Sequence, residues 1–161
     1  MSTNSTAAGT SFCEPEIFES AARVAIDYGR AIREGKPSLW LRAEHAVFAK
    51  LVYSKMHEAM GGHLRFAITG GASLGERLGY FYAGIGLTVM EGYGLTETTA
   101  SGTFNRAENP RIGTVGQPMP GTAVRIAAEG GAWLRGPRLV SGCHHRPEAP
   151  AEAFRPEGWR R

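Results

Sequence analysis

Two short apolar runs, Leu64–Thr69 and Leu87–Met90, each lead directly into a glycine-rich turn, and a segment of helical period lies between them. The first run ends in Gly70-Gly71-Ala72-Ser73-Leu74-Gly75, and the second delivers the chain into Glu91-Gly92-Tyr93-Gly94-Leu95-Thr96-Glu97-Thr98-Thr99. A helix is expected from Leu74 to about Ile85, with Phe81 and Tyr82 supplying bulk. Strand, glycine loop, helix, strand is a βαβ unit, which requires parallel strands and a right-handed crossover. Both glycine turns then fall at the carboxyl ends of their strands, on one edge of the sheet, where open α/β sheets hold their ligands. The fold class is therefore α/β, built on a parallel sheet.

The second glycine turn carries the richer chemistry. Glycines on either side of an aromatic ring permit sharp turns and close approach of a ligand to the backbone. Tyr93 offers a flat face, Thr96 a hydroxyl donor suited to a phosphate oxygen, and Glu97 a hard oxygen ligand suited to Mg²⁺. Taken alone, the stretch reads first as a polar loop after a buried strand, and a core tyrosine is the alternative for Tyr93. The first glycine turn is neither of two common phosphate loops. It lacks the middle glycine of GxGxxG. It has the Gly70-to-Gly75 spacing of a Walker loop, but Glu76-Arg77 stands where Lys and Ser/Thr belong, and a carboxylate there repels phosphate.

Upstream, Ile17, Phe18, Ala21, Ala22, Ala25, Tyr28 and Ile32 recur at helical spacing, with Pro15 and Glu16 in the first turn and Gly35 as a stop. Ser38 is a candidate N-cap for a second helix that runs to Met60, buries Leu41, Phe48, Leu51, Val52 and Met56, and stops at Gly61-Gly62. His45 and His57 fall near its polar side and are expected to be solvated. Downstream of Gly102, prolines and glycines punctuate short β-type runs at Thr122–Ile126 and Trp133–Leu134. Asn105 and Arg111 are polar loop residues with no assigned role. Residues 1–13, rich in Ser, Thr and Ala, are expected to be disordered. The chain divides into an α/β portion at 14–108 and a β-rich portion at 109–161.

A length of 161 residues with 42% hydrophobic and 20% charged composition suits an ordinary globular chain. The net charge of +3 is scattered, dense only at His144-His145-Arg146 and Arg160-Arg161, and gives no support for nucleic-acid binding. Cys13 and Cys143 share no metal-ligand spacing. Cys143-His144-His145 is a poor metal site, because adjacent residues on a strand point to opposite faces. No apolar run reaches membrane-span length, so a cytoplasmic location is expected, with attachment to the membrane periphery left open.

The Glu91–Thr99 stretch resembles the signature loop of the AMP-forming adenylating enzymes: acyl-CoA synthetases, firefly-type luciferases and peptide-synthetase adenylation domains. The resemblance extends upstream through Arg65–Leu74. Downstream it takes in Gly113-Thr114-Val115-Gly116-Gln117-Pro118-Met119-Pro120-Gly121, Leu134-Arg135-Gly136-Pro137, Pro147-Glu148-Ala149 through Ala153-Phe154, and Gly158-Trp159. The texture from Ile17 to Glu91 is most similar to bacterial long-chain fatty-acyl-CoA ligases. The resemblance implies that Gly70, Gly71 and Ala72 pack backbone along adenine and that Tyr93 stacks on it. Gly92, Gly94 and Leu95 would line the nucleotide cleft or acyl pocket, Thr96 would bind the α-phosphate, and Glu97 would hold Mg²⁺. It also implies ATP or AMP, a fatty acid and coenzyme A as the molecules handled.

Two departures stand out. Gly130-Gly131 replaces a Gly-Glu pair, and Cys143-His144-His145 replaces aromatic and polar residues. The family's lysine-bearing phosphate loop, ribose-binding aspartate and C-terminal domain have no counterpart here. The expectation is thus an incomplete or split piece of an AMP-forming fatty-acyl-CoA ligase, with a second chain as one carrier of the missing segments, and an inactive nucleotide-pocket remnant as the alternative.

Overall fold

A computed structural model describes residues 15–128, 130–140 and 158–159. The N-terminal stretch, Cys143-His144-His145 and the Pro147–Phe154 matches lie outside the described residues. Helix α1 (Pro15–Glu34) is followed by α2 (Leu39–Phe48), a five-residue π-helical turn (Ala49–Tyr53) and α3 (Ser54–Ala59), which run on without a break. Ser38 caps α2 as its position suggests, its hydroxyl accepting from the Leu41 N–H at 3.2 Å.

The π turn is a departure from the expected single helix, and it redirects the side chains. An inserted residue rotates everything beyond it. Val52 and Tyr53 are buried, whereas Leu51, expected in the core, is 54% exposed, and Leu41, Phe48 and Met56 are half-buried. The Tyr53 hydroxyl crosses to α1 and donates to the Ala21 carbonyl at 2.7 Å. Burial, and secondarily the charge of Glu44, pushes the Tyr53 phenol up to about 12.

Strand β1 (Phe66–Thr69), α4 (Glu76–Gly84) and β2 (Thr88–Tyr93) form the βαβ unit, with β1 and β2 parallel and Thr69 opposite Glu91. Ala21 and Ala25 of α1 join Val52, Tyr53, Phe81, Ile85 and Leu87 in the main core. Helices α1 and α4 touch backbone to backbone. A side-chain carbon at Gly29 would strike the Tyr80 carbonyl, and one at Gly84 the Ala25 carbonyl. Two corrections concern the strands. The first is short and not buried: Phe66 is 51% and Ile68 64% exposed, because these alternate residues share one face of β1, which the described residues leave uncovered. The second is longer than expected and includes Glu91, Gly92 and Tyr93, so the glycine turn begins only at Gly94.

The sheet then turns antiparallel. Strands β3 (Thr103–Phe104) and β4 (Gln117–Pro118) add to β2 in the order β1-β2-β3-β4, so the sheet runs past residue 108. Strands β5 (Ala123–Ile126) and β6 (Ala132–Arg135) pair as a separate antiparallel hairpin. Its Leu134, fully buried, packs where a side chain on Gly102 would have to be. At the far end, the Arg125 guanidinium lies 5.0 Å from the Trp159 ring centre.

Candidate functional site

Parallel pairing brings Gly70-Gly71-Ala72, after β1, and Gly94-Leu95, after β2, to the same edge. The two turns are joined by a side chain that the motif alone does not single out. Glu91 is 6% exposed, and its Oε1 accepts from the Leu74 N–H at 3.0 Å. This charge-assisted bond fixes the end of the first turn against the last buried position of β2. Gly71 has φ +83° with open space where a side chain would stand, so backbone is presented bare at this edge. Gly92 is tight instead: a Cβ there would meet the Phe104 ring at 2.7 Å.

Beyond Tyr93 the chain closes into a compact turn (Thr96–Thr98, 3₁₀). Thr98 is buried, its hydroxyl accepting from the Leu95 N–H at 2.8 Å and donating to the Leu95 carbonyl at 2.9 Å. A Cβ on Gly94 would collide with the Ala100 carbonyl, so the turn folds onto its own start. The Gly102 N–H donates to the Tyr93 carbonyl at 2.9 Å. Thr98 thus stays inside while Thr96 and Glu97 remain exposed, and Tyr93, Gly94 and Leu95 are half-buried. Gly70, Gly71 and Ala72 are exposed. Tyr93 is therefore not a core tyrosine.

Asn105 has a structural role that composition could not supply. It is 4% exposed, accepts from the Arg111 N–H at 2.9 Å, and donates to the Thr114 carbonyl at 2.6 Å and the Arg111 carbonyl at 3.3 Å. One amide therefore closes the loop between β3 and β4, and Arg33 of α1 pins that loop by donating to the Pro110 carbonyl at 2.7 Å. An open polar cavity of about 870 Å³ lies over this loop, lined by Arg106, Glu108, Asn109 and Arg111 among others. Tyr93, Thr96 and Glu97 do not line it.

The two helix histidines correct the expectation of solvated side chains. His45 Nε2 lies 2.7 Å from the Gly84 carbonyl, and His57 Nε2 lies 2.7 Å from the Ile85 carbonyl. A carbonyl only accepts, so each ring donates there, and together they cap the C-terminal end of α4. His45 also stacks on Tyr28 at 3.8 Å between ring centres. Among the described residues there is no group of three or more His, Cys, Asp or Glu side chains that could hold a metal. No described helix is long and apolar enough to cross a membrane.

A parallel βαβ unit with two glycine turns at one edge and an exposed hydroxyl–carboxylate pair beside them defines an α/β protein of the kind that holds ligands at the carboxyl ends of its strands. The chain belongs to the family of AMP-binding enzymes, whose model matches residues 15–142. It is 48% identical over 143 residues to the long-chain-fatty-acid–CoA ligase FadD15 of Mycobacterium bovis, covering 89% of this chain and 24% of that protein. The chain therefore spans about a quarter of the length of this curated relative.

Among solved structures it is similar to a malonyl-CoA ligase in a ternary product complex with methylmalonyl-CoA and AMP. That match has 30% identity and a TM-score of 0.57, covering 89% of this chain and 32% of that one. It is also similar to the N-terminal domain of FACL13 from Mycobacterium tuberculosis, at 28% identity and a TM-score of 0.53, over 68% of this chain and 32% of that one. Within the family, the chain resembles bacterial long-chain fatty-acid–CoA ligases.

Proposed function

We propose that the carboxyl edge of β1 and β2 binds the adenylate end of the nucleotide in an AMP-forming long-chain fatty acid–CoA ligase. One observation carries this reading. Bare backbone at Gly71, the half-buried Tyr93 ring and the exposed Thr96 and Glu97 share one edge, in a chain 48% identical to a long-chain-fatty-acid–CoA ligase. Gly70, Gly71 and Ala72 pass along one face of adenine and Tyr93 stacks on it. Gly92, Gly94 and Leu95 line the cleft beside them. The Thr96 hydroxyl donates to an α-phosphate oxygen.

In the reaction, a fatty-acid carboxylate attacks the α-phosphorus of ATP and pyrophosphate leaves, giving acyl-AMP. The coenzyme A thiol then displaces AMP to form the thioester. Positioning and charge stabilisation supply most of the acceleration in such transfers, so no nucleophile from the protein is needed.

The donor set at this edge fits Mg²⁺ in one way only. Glu97 is a single exposed carboxylate with no metal-binding cluster around it among the described residues, which suits a metal carried in by phosphates and excludes a cage made of protein alone. Bound there, Mg²⁺ would offset the charge on the phosphate oxygens. Groups for the β- and γ-phosphates, the ribose and the thioester step are not among the residues assigned here, and a second chain is one source of them.

Adenine stacking with one hydroxyl and one metal contact gives an expected Kd for AMP of roughly millimolar order. Calorimetric or NMR titration of the chain with AMP tests this, with Tyr93→Ala expected to abolish saturable binding. Absence of any saturable binding by the unaltered chain, or undiminished binding by Tyr93→Ala, would overturn the assignment. ATP–pyrophosphate exchange with a panel of fatty acids is expected to be absent from the chain alone. Robust exchange lost in Glu97→Ala would show that its catalytic groups are more complete than the assignment allows.

A further inference from the structure

The turn that carries Thr96 and Glu97 ends in a left-handed cap, closed by the Thr99 N–H on the Thr96 carbonyl and the Ala100 N–H on the Leu95 carbonyl, both at 3.2 Å, at residues that are not glycine. Thr99 has φ 52° and ψ 52°, and Ala100 has φ 75°; these are the non-glycine residues with positive φ among the described residues. For a β-branched side chain the left-handed region is a genuine outlier. Such geometry persists only where the surroundings over-determine it, and it concentrates at ligand clamps.

The turn is also held from far along the chain. The Val140 N–H donates to the Glu97 carbonyl at 2.9 Å, and the Thr99 hydroxyl donates to the Arg138 carbonyl at 2.8 Å. Arg138 is itself anchored, its Nη1 donating to the Pro120 carbonyl at 3.1 Å. Both bonds to the turn use the backbone or side chain of Glu97 and Thr99 in ways that leave the Thr96 hydroxyl and Glu97 carboxylate exposed. A strap from beyond β6 therefore sets the direction in which those two groups point.

We propose that Thr99 is a positioning residue, and Arg138–Val140 its strap, for the phosphate-bearing part of the nucleotide. This rests on the assignment of the carboxyl edge to adenylate. Neither Thr99 nor the strap touches the ligand; both act through Thr96 and Glu97. The adenine face, formed by Gly71 and Tyr93, does not depend on them.

The experiment compares adenosine with AMP, each titrated by NMR into the full chain and its Thr99→Val, Thr99→Ser and Arg138→Met variants. Tm and the amide exchange rate of Val140 are measured alongside. Thr99→Val is expected to weaken AMP by about five- to tenfold, the consequence of one lost hydrogen bond, with adenosine unchanged. Thr99→Ser retains the hydroxyl and is expected to behave as the unaltered chain. Arg138→Met, remote from the site, is expected to weaken AMP in the same direction by a smaller factor, and it carries the test if Thr99→Val does not fold. Equal AMP affinity in Thr99→Val and the unaltered chain would overturn the proposal while leaving the adenylate assignment standing. Parallel loss of adenosine and AMP would also overturn it, since that is the mark of a merely structural residue. No AMP binding by the unaltered chain would sink the adenylate assignment and this inference with it.

Discussion

The α1–α4 crossing and the Thr96–Thr99 turn are held by opposite means. The crossing is a contact of backbone on backbone, with Gly29 and Gly84 admitting no side chain and the core packed beside it. The turn is fixed by hydrogen bonds, accepting from the Leu95 and Val140 N–H groups and donating to the Arg138 carbonyl. Close packing makes a region intolerant of added volume. A hydrogen-bonded turn is sensitive to loss of a single donor or acceptor. The difference separates residues that keep the chain folded from those that aim groups at a ligand, and substitutions should divide along the same line.

The largest effect is expected at the crossing. Gly84→Val places a side chain into the Ala25 carbonyl, where neither helix can retreat without opening the core. Destabilisation of at least about 3 kcal/mol is expected in urea titration, enough to unfold a marginal domain. A cooperative transition at the unaltered midpoint would refute the close contact.

Asn105→Leu comes next. It leaves the Arg111 N–H and the Thr114 carbonyl without their shared partner, at an expected cost of about 2 kcal/mol by the same titration.

Tyr53→Phe is expected to cost about 1 kcal/mol through loss of the bond to Ala21. It also has a signature in pH. The folded phenol is pushed up from 10.0 to about 12, so deprotonation favours the unfolded chain. The stabilisation is fully present below about pH 10 and is lost as pH rises towards 12. Stability curves of the two proteins should therefore converge between pH 10 and 12, and a constant difference across that range would contradict the burial of this hydroxyl.

The smallest effect is expected at the helix cap. His57→Ala removes the donor to the Ile85 carbonyl and should cost less than about 1 kcal/mol, since the carbonyl lies at the helix end where water can replace the ring.

Much of the fold was legible in the sequence because its signals are local. Ser38 as an N-cap, the glycine stops, and the strand–turn–helix–strand pattern of 64–94 each depend on a few consecutive residues, and the structure bears them out. What escaped depends on contacts between distant segments. The π turn at Ala49–Tyr53 changes which residues are buried without changing composition, so Leu51 is exposed where a helical period buries it, and Tyr53 is buried. Strands β3 and β4 are two residues each, and Pro118 offers no N–H to a neighbour, so they have no period to detect. His45 and His57 sit on helical positions indistinguishable from solvated ones until α4 is folded beneath them. At the candidate site the exposed groups could be named from the Gly92–Glu97 stretch. The Glu91–Leu74 bond and the strap from Arg138 to Val140 could not, because both partners become neighbours only in the fold.

The central claim is that adenylate sits at the carboxyl edge of β1 and β2 and not in the larger polar cavity over the β3–β4 loop. Amide chemical shifts of the isotopically labelled chain, followed during AMP titration, separate the two directly. The account predicts that shifts concentrate at Gly70–Ala72 and Gly92–Thr96, saturate at a common Kd, and vanish from that edge in Tyr93→Ala. Saturable shifts confined to Arg106–Thr114, with the glycine turns unmoved, would contradict it.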